Sequence, residues 1–148
     1  MNKSILIPVA LVLLVIDYYI IKNTKKPPQL IEVEKRFEKL REYIRTNPNV
    51  PEKFKKLDHP VKITAWHRVK SVGYNVNKGA EIGLCIDGSP NDIMNVLLHE
   101  LAHTITIKYS HNENFWNHFK ELTSVAVDAG VYQPITELKD FCGKKIRD

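Results

Sequence analysis

Five consecutive residues in the second half of the chain carry side chains suited to hydrolytic chemistry: His99-Glu100-Leu101-Ala102-His103. Histidines four positions apart on a helix lie on the same face, so both rings can reach a single ion. Zinc binds neutral imidazole nitrogens at about 2.0–2.1 Å, and a catalytic zinc site has three protein ligands and a water. Glu100 can then take a proton from the zinc-bound water and pass it to the leaving amine. The motif therefore predicts His99 and His103 as metal ligands and Glu100 as the catalytic residue of a zinc peptidase.

The third ligand that we predict is His111. It follows His103 by eight residues, and the intervening Lys108-Tyr109-Ser110 can turn the chain back toward the metal. The next segment offers three competing ligands: His118, Glu113 and Glu121. A histidine on an exposed helix face is usually solvated, which favours His111 over His118. The alternative interpretation of the whole motif is a pair of surface or core-edge histidines on an ordinary helix.

The residues before the motif predict the helix that it requires. Ser89 fits an N-cap, with Pro90 at the first helical position and Asp92 three residues after the cap. An apolar stripe then indicates a helix that reaches to about Ile107. The residues of this stripe are Ile93, Val96, Leu97 and Leu101.

Two further helices are predicted from apolar residues at helical spacing. One runs from about Asn112 to Gly130, and its inward residues are Phe115, Phe119, Leu122 and Ala126. The other ends near Asn47, and its apolar residues are Leu30, Val33, Phe37, Leu40 and Ile44. Two heptads are too few for a coiled coil, so we expect the second stripe to pack on the domain's own core.

Two runs of alternating apolar and polar residues predict strands. The first covers 61–69, and the second places Ile82, Leu84 and Ile86 on one face before a turn at 87–90. We expect these runs to form a small antiparallel sheet, which with the helices gives an α+β fold. The strand Glu81–Asp87 could pair with an extended peptide substrate, as edge strands do in other metallopeptidases.

Residues 5–21 form an apolar run that just reaches the length needed to cross a bilayer. Asp17 lies near its end, beside Tyr18 and Tyr19, which suit the headgroup level. The lysines that follow are Lys22, Lys25 and Lys26. The alternatives are a cleaved signal peptide and a buried core helix, but no small-x-small cleavage site or polar stripe supports either. We predict one N-terminal transmembrane helix within residues 1–24.

The chain is thus divided into the anchor, a basic and proline-containing linker with an amphipathic helix at 25–60, and a zinc metallopeptidase domain at 61–148. The lysines after the anchor predict a single-pass protein with its catalytic domain in the cytoplasm. Only two cysteines occur, Cys85 and Cys142, in no C-x-x-C pair. A disulfide framework is not expected, and both thiols are interpreted as reduced. Cys142 is interpreted as a buried structural cysteine, although a fourth metal ligand or a reactive thiol is an alternative.

The net charge of +5 comes from scattered lysines rather than one basic block. With no basic and aromatic surface in the sequence, nucleic acid is not an expected partner. The expected partners are membrane lipid, through the N-terminal helix, and a protein or peptide substrate. A donor for the oxyanion is also expected, but four candidates stay open: Tyr74, Tyr109, His67 and Arg68.

The order of Glu100-Leu101-Ala102-His103, His111 and Phe115-Trp116 resembles that of the WLM and SprT-like zinc peptidases. The resemblance implies His99, His103 and His111 as zinc ligands and Glu100 as the catalytic acid and base. The gap before His111 is longer than in many WLM members, and Ser110 stands where related sequences tend to have glycine.

Within this group, the chain is similar to predicted metallopeptidases of large DNA viruses and of their algal or protist hosts. This similarity rests on Tyr74-Asn75-Val76-Asn77-Lys78-Gly79, Leu84-Cys85-Ile86, Tyr132 and Phe141-Cys142-Gly143, and it covers about residues 60–143. The N-terminal anchor has no counterpart in the general family.

The function predicted from the sequence is zinc-dependent hydrolysis of peptide bonds near a membrane. Two alternatives remain. One is a membrane protein that binds zinc without catalysis, and the other is a DNA-associated protease of the SprT or WLM type, against which the anchor argues.

Overall fold

The computed structural model describes residues 3–67 and 71–148. Within these ranges the α-helices are Lys3–Thr24 (α1), Pro28–Thr46 (α2), Pro90–Ile105 (α3) and Glu113–Asp128 (α4), with a 3-10 helix at Glu52–Leu57. The strands are Lys62–Trp66 (β1), Gly73–Val76 (β2), Glu81–Cys85 (β3), Lys139–Phe141 (β4) and Lys144–Ile146 (β5). Helices and a small sheet pack together, so the predicted α+β class is confirmed.

Helix α3 lies at the centre of the domain, in contact with α2, α4, β2, β3, β5 and the 3-10 helix. Its N-terminus has the capping box that the sequence predicts: Ser89 Oγ accepts from the backbone N–H of Asp92, and the Asp92 carboxylate accepts from the backbone N–H of Ser89. The helix ends at Ile105, two residues before the predicted end. Because α3 is enclosed by other elements, its position is fixed on several sides.

The main sheet has the order β1-β3-β2 and is mixed rather than antiparallel. The two predicted strands, β1 and β3, run parallel, with Lys62 opposite Glu81 and Trp66 opposite Cys85. The antiparallel partner of β3 is β2, in a segment that the sequence suggested only as a connection. A hairpin between β2 and β3 leaves the other edge of β3 to β1, which pairs with β3 in the parallel direction.

The sheet order corrects the expected role of the strand Glu81–Asp87. Because β3 is central and both of its edges are paired, it has no free edge for a substrate strand. Arg68 and Val69, which were included in the first predicted strand, lie outside the described residues.

The other two predicted helices form, and their apolar faces are buried. The stripe of α2 joins the same core as the apolar residues of β3 and α3, as predicted. Helix α4 begins after Asn112, whose side chain accepts from the N–H of Phe115, and Gly130 follows its end with a φ of +69°.

A C-terminal hairpin of β4 and β5 was not predicted, and it changes the interpretation of the cysteines. Cys85, at the end of β3, and Cys142, in the hairpin turn, form a disulfide. The prediction that both thiols are reduced is therefore wrong. The two positions are 57 residues apart, and only the hairpin brings them together.

Helix α1 is apolar, and none of its residues from Ile7 to Thr24 is buried against the rest of the described chain. Its mean hydropathy of 1.6 over 18 residues makes it long and apolar enough to span a membrane. A buried core helix, one of the alternatives considered from the sequence, does not describe it, whereas a signal sequence has the same length and composition.

Candidate metal centre

The structure brings His99, His103 and His111 together. Helix α3 presents the first two rings on one face, with centroids 5.0 Å apart. The loop after α3 returns His111 so that its Nε2 lies 2.9 Å from Nε2 of His99 and 3.1 Å from Nε2 of His103. A tetrahedral ion at about 2.0–2.1 Å from each nitrogen would hold such atoms about 3.3 Å apart. The three nitrogens therefore enclose a space close to the size of one metal ion.

The ionisation of the histidines suits metal binding. Burial, with the neighbouring histidines, lowers the pKa of His99 to about 3 and that of His103 to about 4. Both rings are therefore neutral near pH 7 and can offer a lone pair. An N–H on Nε2 of His111 can be directed at only one of the other two rings at a time. A cation at the centre could instead accept the lone pairs of all three Nε2 atoms.

Aromatic residues of α4 pack against the histidines. The Phe115 ring centroid lies 4.8 Å from that of His99, 4.3 Å from that of His103 and 4.7 Å from that of His111. Trp116 stacks on His111 with centroids 5.7 Å apart and stays half exposed. The sequence analysis gave Phe115 as a core residue and as part of the Phe115-Trp116 pair of the family resemblance; the structure adds that its ring contacts all three histidines. The helical spacing of apolar residues after Asn112 predicted that Phe115 faces inward, but not that it contacts the histidines.

Glu100 follows His99 on α3, and its side chain lines the same cleft. Only 7 % of the residue is exposed, and burial raises the pKa of its carboxyl to about 7. A Cβ on Gly73 would lie 3.0 Å from Glu100 Oε1 and 2.6 Å from Val96 Cγ1. Only glycine at this position lets β2 approach α3 so closely, which is a constraint on the site that the sequence analysis missed.

The competing metal ligands lie elsewhere. His118 shares a hydrogen bond with Thr106, Nδ1 to Oγ1 at 3.0 Å, and Glu121 forms an ion pair with Lys53. Glu113 is in the first turn of α4 and is not part of the histidine cluster. Cys142 is bonded to Cys85, so its sulfur is neither a thiolate ligand of this cluster nor a free reactive thiol.

Among the oxyanion donors considered from the sequence, Tyr109 lies nearest to the histidines. Its ring is 6.3 Å from that of His103, and it lines the cleft. The hydroxyl of Tyr74 is instead bonded to Thr64 and donates to Glu81, at 2.9 and 2.7 Å. The Nδ1 of His67 lies 2.6 Å from Asp87 Oδ1, and Arg68 is outside the described residues.

The cleft beside the histidines has a volume of about 440 Å³. One wall is the edge strand β2, and another is the C-terminal tail with Lys145, Ile146 and Arg147. Asp148 holds this tail in place: its Oδ1 accepts from Asn95 Nδ2 at 3.0 Å and also from the hydroxyl of Tyr132. This wall was not predicted, because it depends on contacts between residues far apart in the chain.

The region that carries these features matches a known protein family. The model of the WLM domain matches residues 59–145, more than half of the 148 residues. The chain belongs to the WLM domain family. Membership makes this a metallopeptidase-like domain and associates it with zinc, and the resemblance predicted from the sequence is confirmed.

The WLM chain is also similar to the "Uncharacterized protein R325" of Acanthamoeba polyphaga mimivirus. The two are 30% identical over 129 residues, which is 75% of this chain and 66% of the relative. The chain thus spans slightly less than two thirds of the relative's length. The match agrees with the predicted similarity to proteins of large DNA viruses. No solved structure matches the chain.

The residues present fit a zinc ion. Three imidazoles supply nitrogen donors of the type that catalytic zinc sites use, and the carboxyl group of Glu100 lies beside them. The nitrogen of His103 that is directed at the cluster is Nε2, 3.1 Å from Nε2 of His111, whereas its buried Nδ1 has no hydrogen-bond partner among the described residues.

Proposed function

We propose that the protein is a zinc-dependent metallopeptidase, with His99, His103 and His111 as ligands and Glu100 as the catalytic acid and base. One observation carries the proposal: the Nε2 atoms of His99 and His103 both lie about 3 Å from Nε2 of His111. The buried carboxyl group of Glu100 lines the same open cleft as these three histidines. A structural zinc site has a fourth protein ligand. No fourth residue joins this cluster within the described chain, which favours a catalytic site.

Zinc bound there would lower the pKa of a water molecule and polarise a carbonyl group. Glu100 supplies the proton transfer. Its pKa of about 7 allows the carboxylate to accept a proton from the attacking water, and the resulting acid to donate it to the leaving amine. The carboxyl group lies against the backbone of Gly73, where a Cβ would be 3.0 Å from Oε1, so a larger residue at this position would crowd it.

The cleft is suited to an extended polypeptide. Among the described residues, strand β2 pairs on one side, with β3, and its residues Gly73, Tyr74 and Asn75 line the cleft. An extended substrate can add to such an edge through main-chain hydrogen bonds. We therefore propose β2, rather than the central β3, as the strand along which the substrate lies.

The proposed site of action is a membrane surface, through α1. Only three residues separate the end of α1 from the start of α2, whose apolar face is part of the domain core. A domain held so closely to a membrane-spanning helix would reach substrates at that membrane.

Metal analysis of the full chain in detergent micelles tests the site. About one zinc per chain is expected in the wild type and in His118→Ala, and His111→Ala should lose it. A folded wild-type protein without zinc, prepared without chelator, would refute the metallopeptidase.

Hydrolysis of peptide substrates tests the catalytic role of Glu100. Glu100→Gln should keep its zinc and lose activity by several orders of magnitude, because the proton acceptor is removed. If the wild type binds zinc and hydrolyses no peptide in a broad library, the alternative of a non-catalytic zinc protein replaces the enzyme.

A further inference from the structure

We propose that the turn between β2 and β3 is a clamp that positions the third zinc ligand, with Lys78 as its principal residue. This inference rests on the proposed function, because the ligand that it positions is His111. The clamp comprises residues 75–79, which are the end of β2 and the turn that follows it. It packs against the end of α3 and the loop 106–111. Neither Lys78 nor Asn75 touches the three Nε2 atoms, so both are positioning residues.

The side chain of Lys78 binds carbonyl groups at the end of α3. The last carbonyls of a helix have no partner within the helix. The ammonium group of Lys78 donates to the carbonyl oxygens of Thr106 and Ile107, the latter at 2.9 Å, and lies 3.4 Å from that of His103. An ammonium has three N–H donors and is attracted to the negative end of the helix dipole. Lys78 therefore caps α3 from another element and fixes the start of the loop.

Lys78 also contacts Tyr109, which lies two residues before His111. The Lys78 ammonium lies 4.3 Å from the centroid of the Tyr109 ring, within cation–π range. The backbone N–H of Lys78 donates to the Tyr109 hydroxyl at 2.9 Å. One residue thus contacts the loop near its beginning and near its end.

The backbone of the turn supports a role for this side chain. Lys78 has a φ of +56° and Asn77 a φ of +49°, in the left-handed region that is unfavourable for a residue with a β-carbon. Asparagine tolerates this region and lysine gains nothing from it. A strained lysine whose side chain makes several specific contacts indicates that the contacts, rather than the turn, require it.

Asn75 attaches the same turn to the middle of the motif. Its Nδ2 donates to the carbonyl oxygen of Glu100 at 2.6 Å and to Thr104 Oγ1 at 2.9 Å. Its Oδ1 accepts from the N–H of Gly79 at 2.7 Å. A Cβ on Gly79 would lie 3.0 Å from the Thr104 side chain. The turn is therefore seated directly on the helix, and Lys78 reaches the loop from a fixed base.

The consequence is a division of labour among the ligands. His99 and His103 are positioned by α3 itself, whereas His111 is exposed on a loop whose geometry depends on Lys78. Removing Lys78 should weaken zinc binding without removing any ligand. Loss of a residue that orients a ligand lowers metal affinity by roughly 10–100-fold.

The zinc Kd of the full chain in detergent, measured by competition with a chelator, tests the clamp. Lys78→Met should raise the Kd about 10–100-fold. Lys78→Arg, which can still donate to the carbonyls, should recover most of the affinity. Lys108→Met, which removes the same charge from an exposed position in the loop, should bind zinc as the wild type does.

The absorption spectrum of the cobalt-substituted protein separates positioning from general stability. The Lys78→Met spectrum should shift toward that of His111→Ala, whereas loss of stability alone would leave the coordination spectrum of the folded fraction unchanged. If Lys78→Met does not fold, Tyr109→Phe serves instead, with a Kd raised about fivefold through loss of the hydroxyl acceptor.

Wild-type Kd and wild-type cobalt spectrum in folded Lys78→Met would overturn the clamp and leave the proposed function standing. A wild-type chain that binds neither ion would overturn the proposed function, and the clamp with it. The wild-type sample therefore distinguishes the two failures.

Discussion

The disulfide between Cys85 and Cys142 should contribute a large share of the domain's stability. It closes a span of 57 residues, and the chain-entropy relation gives about 4 kcal/mol for a loop of that length. Total unfolding free energies are about 5–15 kcal/mol. For a folded domain of this size, we expect a fall in Tm of about 10–20 °C when the bond is lost.

The perturbation can be made in two independent ways, by reduction of the wild type or by Cys142→Ala. Both samples should be measured without zinc, because a bound metal adds its own stabilisation. Differential scanning calorimetry gives the Tm, and thiol titration establishes that the bond is open. The two samples should agree, since both remove the same constraint from the unfolded chain.

The location of the bond adds a local expectation. The hairpin that carries Cys142 continues into the cleft wall, while Asp148 fastens the end of that wall to Asn95 and Tyr132. The histidines are held by α3, α4 and the β2–β3 turn instead. Zinc affinity should therefore change little below the new Tm. A reduced protein with two titratable thiols and an unchanged Tm would refute the stabilising role of the bond.

Four further predictions concern the cleft and the membrane. Gly73→Ala should destabilise the domain by about 1–3 kcal/mol, because its Cβ would overlap α3; urea unfolding measures the loss, and wild-type stability would contradict it. Acid should destabilise the metal-free domain, because the lowered pKa values of His99 and His103 give stability that is present above pH 6.5 and lost toward pH 4. The raised pKa of the Glu100 carboxyl offsets part of this effect, leaving a loss of about 3 kcal/mol between pH 7 and pH 4 in EDTA. Because Arg147 lines the cleft, peptides with glutamate near the scissile bond should be cleaved faster than their glutamine counterparts. Arg147→Gln should reduce that ratio, Lys144→Gln, outside the cleft, should not, and equal rates in the wild type would exclude this selectivity. A disulfide persists in oxidising compartments, so we expect the domain to lie on the lumenal side of the membrane. A C-terminal tag should then resist protease added outside sealed microsomes. Digestion of the tag would instead favour the cytoplasmic orientation that the lysines predict.

The elements predicted correctly are those determined within a short window of sequence. The capping box at Ser89 and the stripe of α2 each use residues within a few turns of one another, and both form as expected. The pair His99 and His103 belongs to the same class, because helix geometry alone aligns them. The third histidine lies in the cluster because only a short loop separates it from α3.

The elements missed depend on residues far apart in the chain. Strand β2 has four residues and contains no long apolar run, so only its pairing with β3 reveals it. The parallel pairing of β1 likewise depends on its contact with β3, and the residues of β1 alone do not indicate its direction. The disulfide requires β4 and β5, each of three residues, to bring Cys142 to the end of β3.

The same reasoning separates the chemistry of the site from its geometry. The motif specifies which atoms can bind a metal, but the loop that completes the set is held by a lysine 28 residues before the carbonyl of Thr106 that it contacts. In the sequence, that lysine is one of many charged residues and lies in a turn that favours glycine or asparagine. Its left-handed backbone is the local cost of a distant contact. The contacts of that lysine exist only once the β2–β3 hairpin packs on α3 and the loop 106–111, so its own neighbours in the sequence do not reveal them.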